Sequence, residues 1–147
     1  MEIKKVVVIG SGTMGSGIAA HLCNANIPVT LLDLKTEISE QARDKIHKSR
    51  PPLLLDKSKI NNIKVGNILD NFDEVKEADW VVEAVVERID IKHDIYEKIF
   101  KERKKGAIVS SNTSSIPIKV LSEHLSEEEK KIFALLTFLI QLDTWGY

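Results

Sequence analysis

The run Val6-Val7-Val8-Ile9-Gly10-Ser11-Gly12-Thr13-Met14-Gly15 constrains this chain more than any other stretch. Four β-branched residues in succession read as a parallel strand buried on both faces, where no polar alternation is needed. The strand leads directly into G-x-G-x-x-G and then into a helical pattern. Gly10 permits a tight turn, Gly12 lets the backbone close on a pyrophosphate, and Gly15 lets the helix pack against the strand. A helix beginning at Thr13 and Met14 offers unpaired N–H groups and partial positive charge to phosphates. Glycines also mark ordinary turns, but strand, glycines and helix here follow the order that dinucleotide binding requires.

An acid completes the pattern. Val29-Thr30-Leu31-Leu32-Asp33 reads as a second strand, and Asp33 lies 18 residues beyond Gly15, at the strand's carboxyl end. A carboxylate there accepts hydrogen bonds from adenosine ribose hydroxyls and repels a 2′-phosphate, which favours NAD over NADP. The competing reading of Asp33 is a capping or loop aspartate.

The rest of the chain alternates strands and helices. The first helix is expected over Thr13 to Asn26, with Met14, Ile18, Leu22 and Ala25 facing the sheet and Cys23 packed beside Ala19. A polar helix follows over Glu37 to Lys48, broken by Pro51-Pro52. Leu53-Leu54-Leu55 then reads as a short helix tucked onto the sheet. Ile63 to Gly66 is a short strand, Phe72 to Ala78 a connecting turn or short helix, and Trp80 onward a buried strand with Glu87 in the loop after it. Asp90 to Lys104 forms an amphipathic helix with Ile91, Ile95 and Ile99 on one stripe and Lys92, Glu97 and Lys101 elsewhere, stopped by Gly106. Ala107 to Ser111 is the next strand, and Ile116 to Leu125 a short helix. Ser126 and Glu129 are spaced to cap the turn that follows. Such alternation predicts an α/β, doubly wound, mostly parallel sheet covered on both faces.

Composition narrows the partners. The 147 residues suit a single domain, and a net charge of −1 gives no reason to expect nucleic acid or an anionic membrane as partner. The basic run Lys101 to Lys105 contains Glu102 and reads as a solvated helix end. One cysteine excludes an intrachain disulfide. The start lacks a signal-peptide pattern and no apolar run is long enough to span a bilayer, so a cytoplasmic chain is expected.

Four blocks carry a resemblance to a known family: Gly10 to Ala19, Leu31-Leu32-Asp33, Val81-Val82-Glu83-Ala84-Val85-Val86-Glu87, and Ser111-Asn112-Thr113-Ser114-Ser115. Together they resemble the NAD-binding Rossmann domain of the 3-hydroxyacyl-CoA dehydrogenases, the last two blocks most specifically. The resemblance implies NAD as cofactor and oxidation of the 3-hydroxyl of an acyl-CoA to a ketone in fatty-acid β-oxidation. It implies a cofactor site of Gly10, Gly12, Thr13, Met14, Gly15, Asp33, Ala84, Glu87, Lys92, Asn112 and Ser114. Glu87 and Lys92 would lie along the nicotinamide side, and Ser114 would also contact the substrate hydroxyl. Read from the residues alone, Glu87 and Lys92 are equally an exposed pair, and Ser114 part of a local turn.

The chain departs from the family at its end. A general base must take the hydroxyl proton as hydride leaves. The resemblance puts a histidine, in a motif like H-F-F-N-P, on the strand after the fourth block. Counted from Phe133, that strand has Thr137 in the histidine's place and Ile140 in that of the asparagine. His21, His47, His93 and His124 read as surface or packed residues rather than displaced catalysts. Codons exist for Leu136 to Tyr147 that, read from one base before the Thr137 codon, spell His-Phe-Phe-Asn-Pro-Ala-Arg-Tyr-Met-Gly-Leu. That points to a frameshift near Phe133 to Leu136 and an aberrant tail over 132–147, which the gene's own codons would decide. The helical domain that closes the acyl-CoA cleft in the family is expected to be absent, leaving apolar surface that invites self-association. The expected function is an NAD-binding domain, 1–147, catalytically impaired, that would meet acyl-CoA only if another chain completed it. The alternative is a non-catalytic remnant or interaction module.

Overall fold

The computed structural model of the chain describes residues 2–113 and 115–133. Five strands form one sheet: β1 (Val6–Ile9), β2 (Val29–Asp33), β3 (Ile63–Asn67), β4 (Trp80–Glu83) and β5 (Ile108–Ser111). Their spatial order is β3-β2-β1-β4-β5, and every pairing is parallel. The connections are α1 (Thr13–Asn24), α2 (Thr36–Lys48) and α3 (Ile89–Glu102), with 3-10 turns at Lys57–Asn62 and Phe72–Glu77. The single-turn α4 (Ile118–Leu121) follows β5, and residues 127–133 are helical.

Strand β1 shows why an unbroken apolar run was needed. Val6 and Val8 point into a core shared with Ala19, Leu22, Cys23 and Ile46, whereas Val7 and Ile9 point into a second core with Ile95, Tyr96, Ile99 and Phe133. The strand has no solvent face, so alternation would have placed polar groups in one core or the other. The chain winds to β2 and β3 on one side of β1 and to β4 and β5 on the other. The direction of winding therefore reverses between β1 and β4, and a crevice opens at their carboxyl ends.

Several local expectations need correcting. In α1 the buried residues are Gly15, Ala19, Ala20, Leu22 and Cys23. Met14 is 53% exposed because the first turn overhangs the sheet's carboxyl edge, and Ala25 lies outside the helix as its C-cap. Leu53 to Leu55 form no helix. The Leu53 N–H donates to Ser49 Oγ (2.9 Å) and the Leu55 N–H to Asn24 Oδ1 (3.0 Å), so side chains satisfy the backbone and only Leu54 reaches the core. Helix α3 ends at Glu102, and the segment expected over Ile116 to Leu125 is helical for one turn alone. Phe133 belongs to the helix over 127–133, not to a strand, and its ring packs on Tyr96 at 4.8 Å. Thr137, Ile140 and the rest of the tail lie outside the described residues. The expected cap does form: the Ser126 N–H donates to Glu129 Oε2 and the Glu129 N–H to Ser126 Oγ. Among the described residues no helix is long and apolar enough to cross a membrane.

At the amino end of the sheet, Glu74 accepts from Lys5 Nζ and Lys64 Nζ, each at 2.5 Å, and so links the residue before β1, the Phe72–Glu77 turn and β3. The Lys5 bond, then the Lys64 bond, hold its carboxyl below the usual range against an opposing effect of burial. A depressed folded pKa contributes stability that is complete above the unfolded value of about 4.3 and is lost as pH falls through the folded one. Glu74→Gln should flatten this acid limb: urea midpoints at pH 3 and pH 6 should differ less than in the parent chain. An unchanged difference would contradict the assignment.

Candidate functional site

The carboxyl edge is built by extending the strand ladder one residue past each strand. The Gly10 N–H donates to Leu32 O, the Ala84 N–H to Ile9 O at 2.7 Å, and the Asn112 N–H to Glu83 O at 2.7 Å. Gly10, Ala84 and Asn112 are thereby fixed side by side along the crevice. Gly10 has φ +104°, and a Cβ there would stand 2.3 Å from Ala84 O. A Cβ on Gly15 would meet Gly10 O at 1.8 Å. Both positions require glycine for the fold itself.

Gly12 differs. Its φ of −67° suits any residue, and a Cβ would meet nothing within 4 Å. As the N-cap of α1 it places no side chain over the helix end, and no side-chain bond caps that end. The N–H groups of Thr13 and Met14 thus sit in the first turn beside open space, which suits an anion. Asp33 closes the loop from the β2 side: its Oδ2 accepts from Ser11 N–H (2.8 Å) and Ser11 Oγ (2.5 Å), and its Oδ1 from Leu34 N–H (2.7 Å). The carboxylate expected to hold a ribose therefore also anchors the glycine loop.

Beyond Ala84 lies a buried polar network. Glu83 and Lys92 are both fully buried and paired at 2.7 Å. A buried charge is costly unless every bonding position is filled. Here they are filled. Glu83 Oε2 accepts from Lys92 Nζ and the Val85 N–H, and Oε1 accepts from Ser111 Oγ and Tyr96 OH. The three protons of Lys92 reach Glu83, Val85 O (3.2 Å) and Glu87 Oε1 (3.1 Å). Burial first, then the Glu83 charge, pushes the Tyr96 hydroxyl far up, so it stays a neutral donor. Glu87 reaches across the crevice, accepting from Thr113 Oγ1 (2.7 Å) and Ser115 Oγ (2.5 Å). Burial opposes its charge, but those hydroxyls, Ser115 foremost, together with Lys92 hold its carboxyl below the usual range.

The structure thus brings Gly10, Gly12, Thr13, Met14, Gly15, Asp33, Ala84, Glu87, Lys92 and Asn112 to one edge of the sheet. Ser114 lies outside the described residues. Lys92 was expected off the apolar stripe of α3, but it is buried on the same face as Ile95, Tyr96 and Ile99. The sequence reading missed Glu83, Tyr96, Ser111, Thr113 and Ser115 as parts of the site. An acid ending an otherwise apolar strand, with Lys92 and Tyr96 four apart on the next helix, was the available signal.

Removing one partner of a buried pair strands the other charge. Lys92→Met should therefore destabilise the chain by about 3–5 kcal/mol. The double variant Glu83→Gln/Lys92→Met should recover part of that loss. Arg88→Ala, which breaks an exposed pair with Asp90 at 2.9 Å, should cost less than about 1 kcal/mol. Urea unfolding separates these; a Lys92 variant as mild as the Arg88 variant would contradict the network's role.

Comparison with known proteins agrees with this geometry. The family model described as "3-hydroxyacyl-CoA dehydrogenase, NAD binding domain" matches residues 5–139. A Deinococcus radiodurans protein named "Probable 3-hydroxyacyl-CoA dehydrogenase" is 42% identical over 140 residues, covering 90% of this chain and 40% of the relative. The peroxisomal fatty acid β-oxidation multifunctional protein of Arabidopsis thaliana is 33% identical, covering 90% of this chain and 19% of its own length. The chain thus spans well under half the length of these relatives. Among solved structures, 3-hydroxybutyryl-CoA dehydrogenase from Escherichia coli K12 superposes with TM-score 0.75 at 26% identity, over 88% of this chain and 29% of that one. An NAD+-dependent dismutase, 5-formyl-3-hydroxy-2-methylpyridine 4-carboxylic acid 5-dehydrogenase, superposes with TM-score 0.71 at 32% identity, over 88% and 43%. Fold, glycine loop and family match converge, and the chain belongs to the 3-hydroxyacyl-CoA dehydrogenase family as its NAD-binding domain.

Proposed function

We propose that the β1–β4 crevice holds NAD in the following way. The α1 N-terminus, through Gly12, Thr13 and Met14, takes the diphosphate, and Asp33 takes the adenosine ribose. Ala84, Glu87 and Asn112, with Ser114 by the family resemblance, line the nicotinamide side, and Lys92 stands buried behind Glu87 and holds it. Gly12 is the observation that carries this reading. The fold requires glycine at Gly10 and Gly15 but leaves Gly12 free of contact and strain, and with no side chain there the space over the helix end stays open to a ligand. When bound, the nicotinamide ring accepts a hydride. The chain's own part is to orient that ring, with Glu87 held as a charged acceptor by Lys92, Thr113 and Ser115.

We further propose that the complete reaction, oxidation of a 3-hydroxyacyl-CoA, needs groups beyond this domain. Names among the relatives support the substrate class, since several carry the words fatty acid oxidation. The pyridine-carboxylate dismutase has the same fold, so the dinucleotide domain alone does not choose the substrate. The family resemblance matches Thr137 to the position of the catalytic histidine, and a threonine hydroxyl takes up no proton near neutral pH. Turnover of acyl-CoA without another proton acceptor is therefore expected to be negligible, and exposed apolar side chains such as Leu34 and Leu69 offer surface for self-association.

Gly12→Asp separates architecture from ligand binding. Aspartate is a favoured N-cap, and its charge suits a helix N-terminus, so thermal stability should hold or rise. The same charge repels a diphosphate. Calorimetric titration should show saturable NADH binding to the parent chain, loss in Gly12→Asp, and weakening in Asp33→Ala. Undiminished binding in Gly12→Asp, or none in the folded parent, would overturn the proposal.

A further inference from the structure

Away from the crevice, two of the histidines set aside above meet. His93, on α3, and His124, in the turn after α4, stand edge to face with ring centroids 4.3 Å apart. With Glu123 they place one ligand atom each within 4.8 Å of one another. His93 Nε2 lies 2.9 Å from Val120 O. A ring N–H donated to a backbone carbonyl fixes the tautomer and orientation of an imidazole, which is the outer support that metal-binding histidines commonly have. His93 is partly buried, and Glu123 and His124 are exposed, so an ion has access. The groove that His93 and His124 line also carries Asp90, Asp94 and Glu129, a surround that attracts a cation.

We propose that His93, Glu123 and His124 form a site for a divalent transition ion of the zinc type, separate in space from the cofactor crevice. Two imidazoles and one carboxylate suit zinc, nickel or copper and not magnesium or calcium, which take oxygen ligands. Three protein ligands leave a fourth tetrahedral position for water. Ligands bound at about 2.0–2.2 Å stand roughly 3.4 Å apart, so ligand atoms now within 4.8 Å of one another close by up to about 1.4 Å on binding. The ion would pin α3 to the turn after α4. Because α3 also carries Lys92, the clamp stiffens one wall of the cofactor site from behind.

The test is titration of Zn2+ alone into the full chain in a non-chelating buffer, with Mg2+ as comparison. Zinc is expected to bind with one-to-one stoichiometry and to raise the melting temperature, and magnesium to do neither. His93→Gln and His124→Gln should each weaken zinc by at least about tenfold, while His47→Gln, on α2, should leave it unchanged. Glu123→Gln, at an exposed position, should weaken it without disturbing the fold, as read by circular dichroism. Absence of zinc binding, or equal binding in the His124 and His47 variants, would overturn the proposal.

Discussion

One buried carboxylate organises the functional edge of this molecule. Glu83 ends β4 in register with Ile9 on one side and Ser111 on the other, where an apolar side chain would have been the simpler choice. Its two oxygens gather four donors from three elements: one from the loop after β4, two from helix α3 and one from strand β5. Taking a charge out of water is tolerable here because no lone pair is left over. The result is conformational rather than energetic. Lys92, held by Glu83, has one proton left for Glu87, and Glu87 in turn holds Thr113 and Ser115. Two loops that share no strand pairing beyond Asn112 are tied across the crevice by that chain of bonds.

The glycine loop is held from the opposite side by the same means. Asp33 grips Ser11 by backbone and hydroxyl, so the loop enters α1 at a fixed angle before any ligand arrives. A preorganised loop avoids an ordering cost on binding. The three glycines then divide the work. Gly10 needs its positive φ and its closeness to Ala84, Gly15 needs its closeness to Gly10, and Gly12 answers to neither demand. Fold and ligand therefore leave separable marks on a motif that looks uniform when written as letters.

Legibility in the sequence followed the same division. The strand Val6 to Ile9, the glycines and Asp33 were readable because each depends on local chemistry: burial on both faces, turn geometry, strand-end position. The doubly wound sheet followed from alternation alone. Glu83 stands in one of the family blocks, but its role has no local sign because it depends on Ser111 and Tyr96, which are distant in the chain. Periodicity leaves Lys92 off the apolar stripe of α3 because charge normally seeks water; the tertiary partner that overrides this preference has no local signature. Leu53 to Leu55 failed as a helix for a comparable reason, since Asn24 and Ser49 supply the backbone partners from outside the segment. The pairing of His93 with His124 joins residues 31 apart and was likewise out of reach.

The central claim is that a single edge of the sheet, organised by Asp33 on one side and Glu83 on the other, receives NAD. Amide chemical-shift mapping of the labelled chain during addition of NADH tests it most directly. The account predicts shifts concentrated at residues 10–15, 33–34, 84–92 and 112–113, with the 120–125 turn nearly silent. Shifts centred on that turn or on α2, with the glycine loop unmoved, would contradict it.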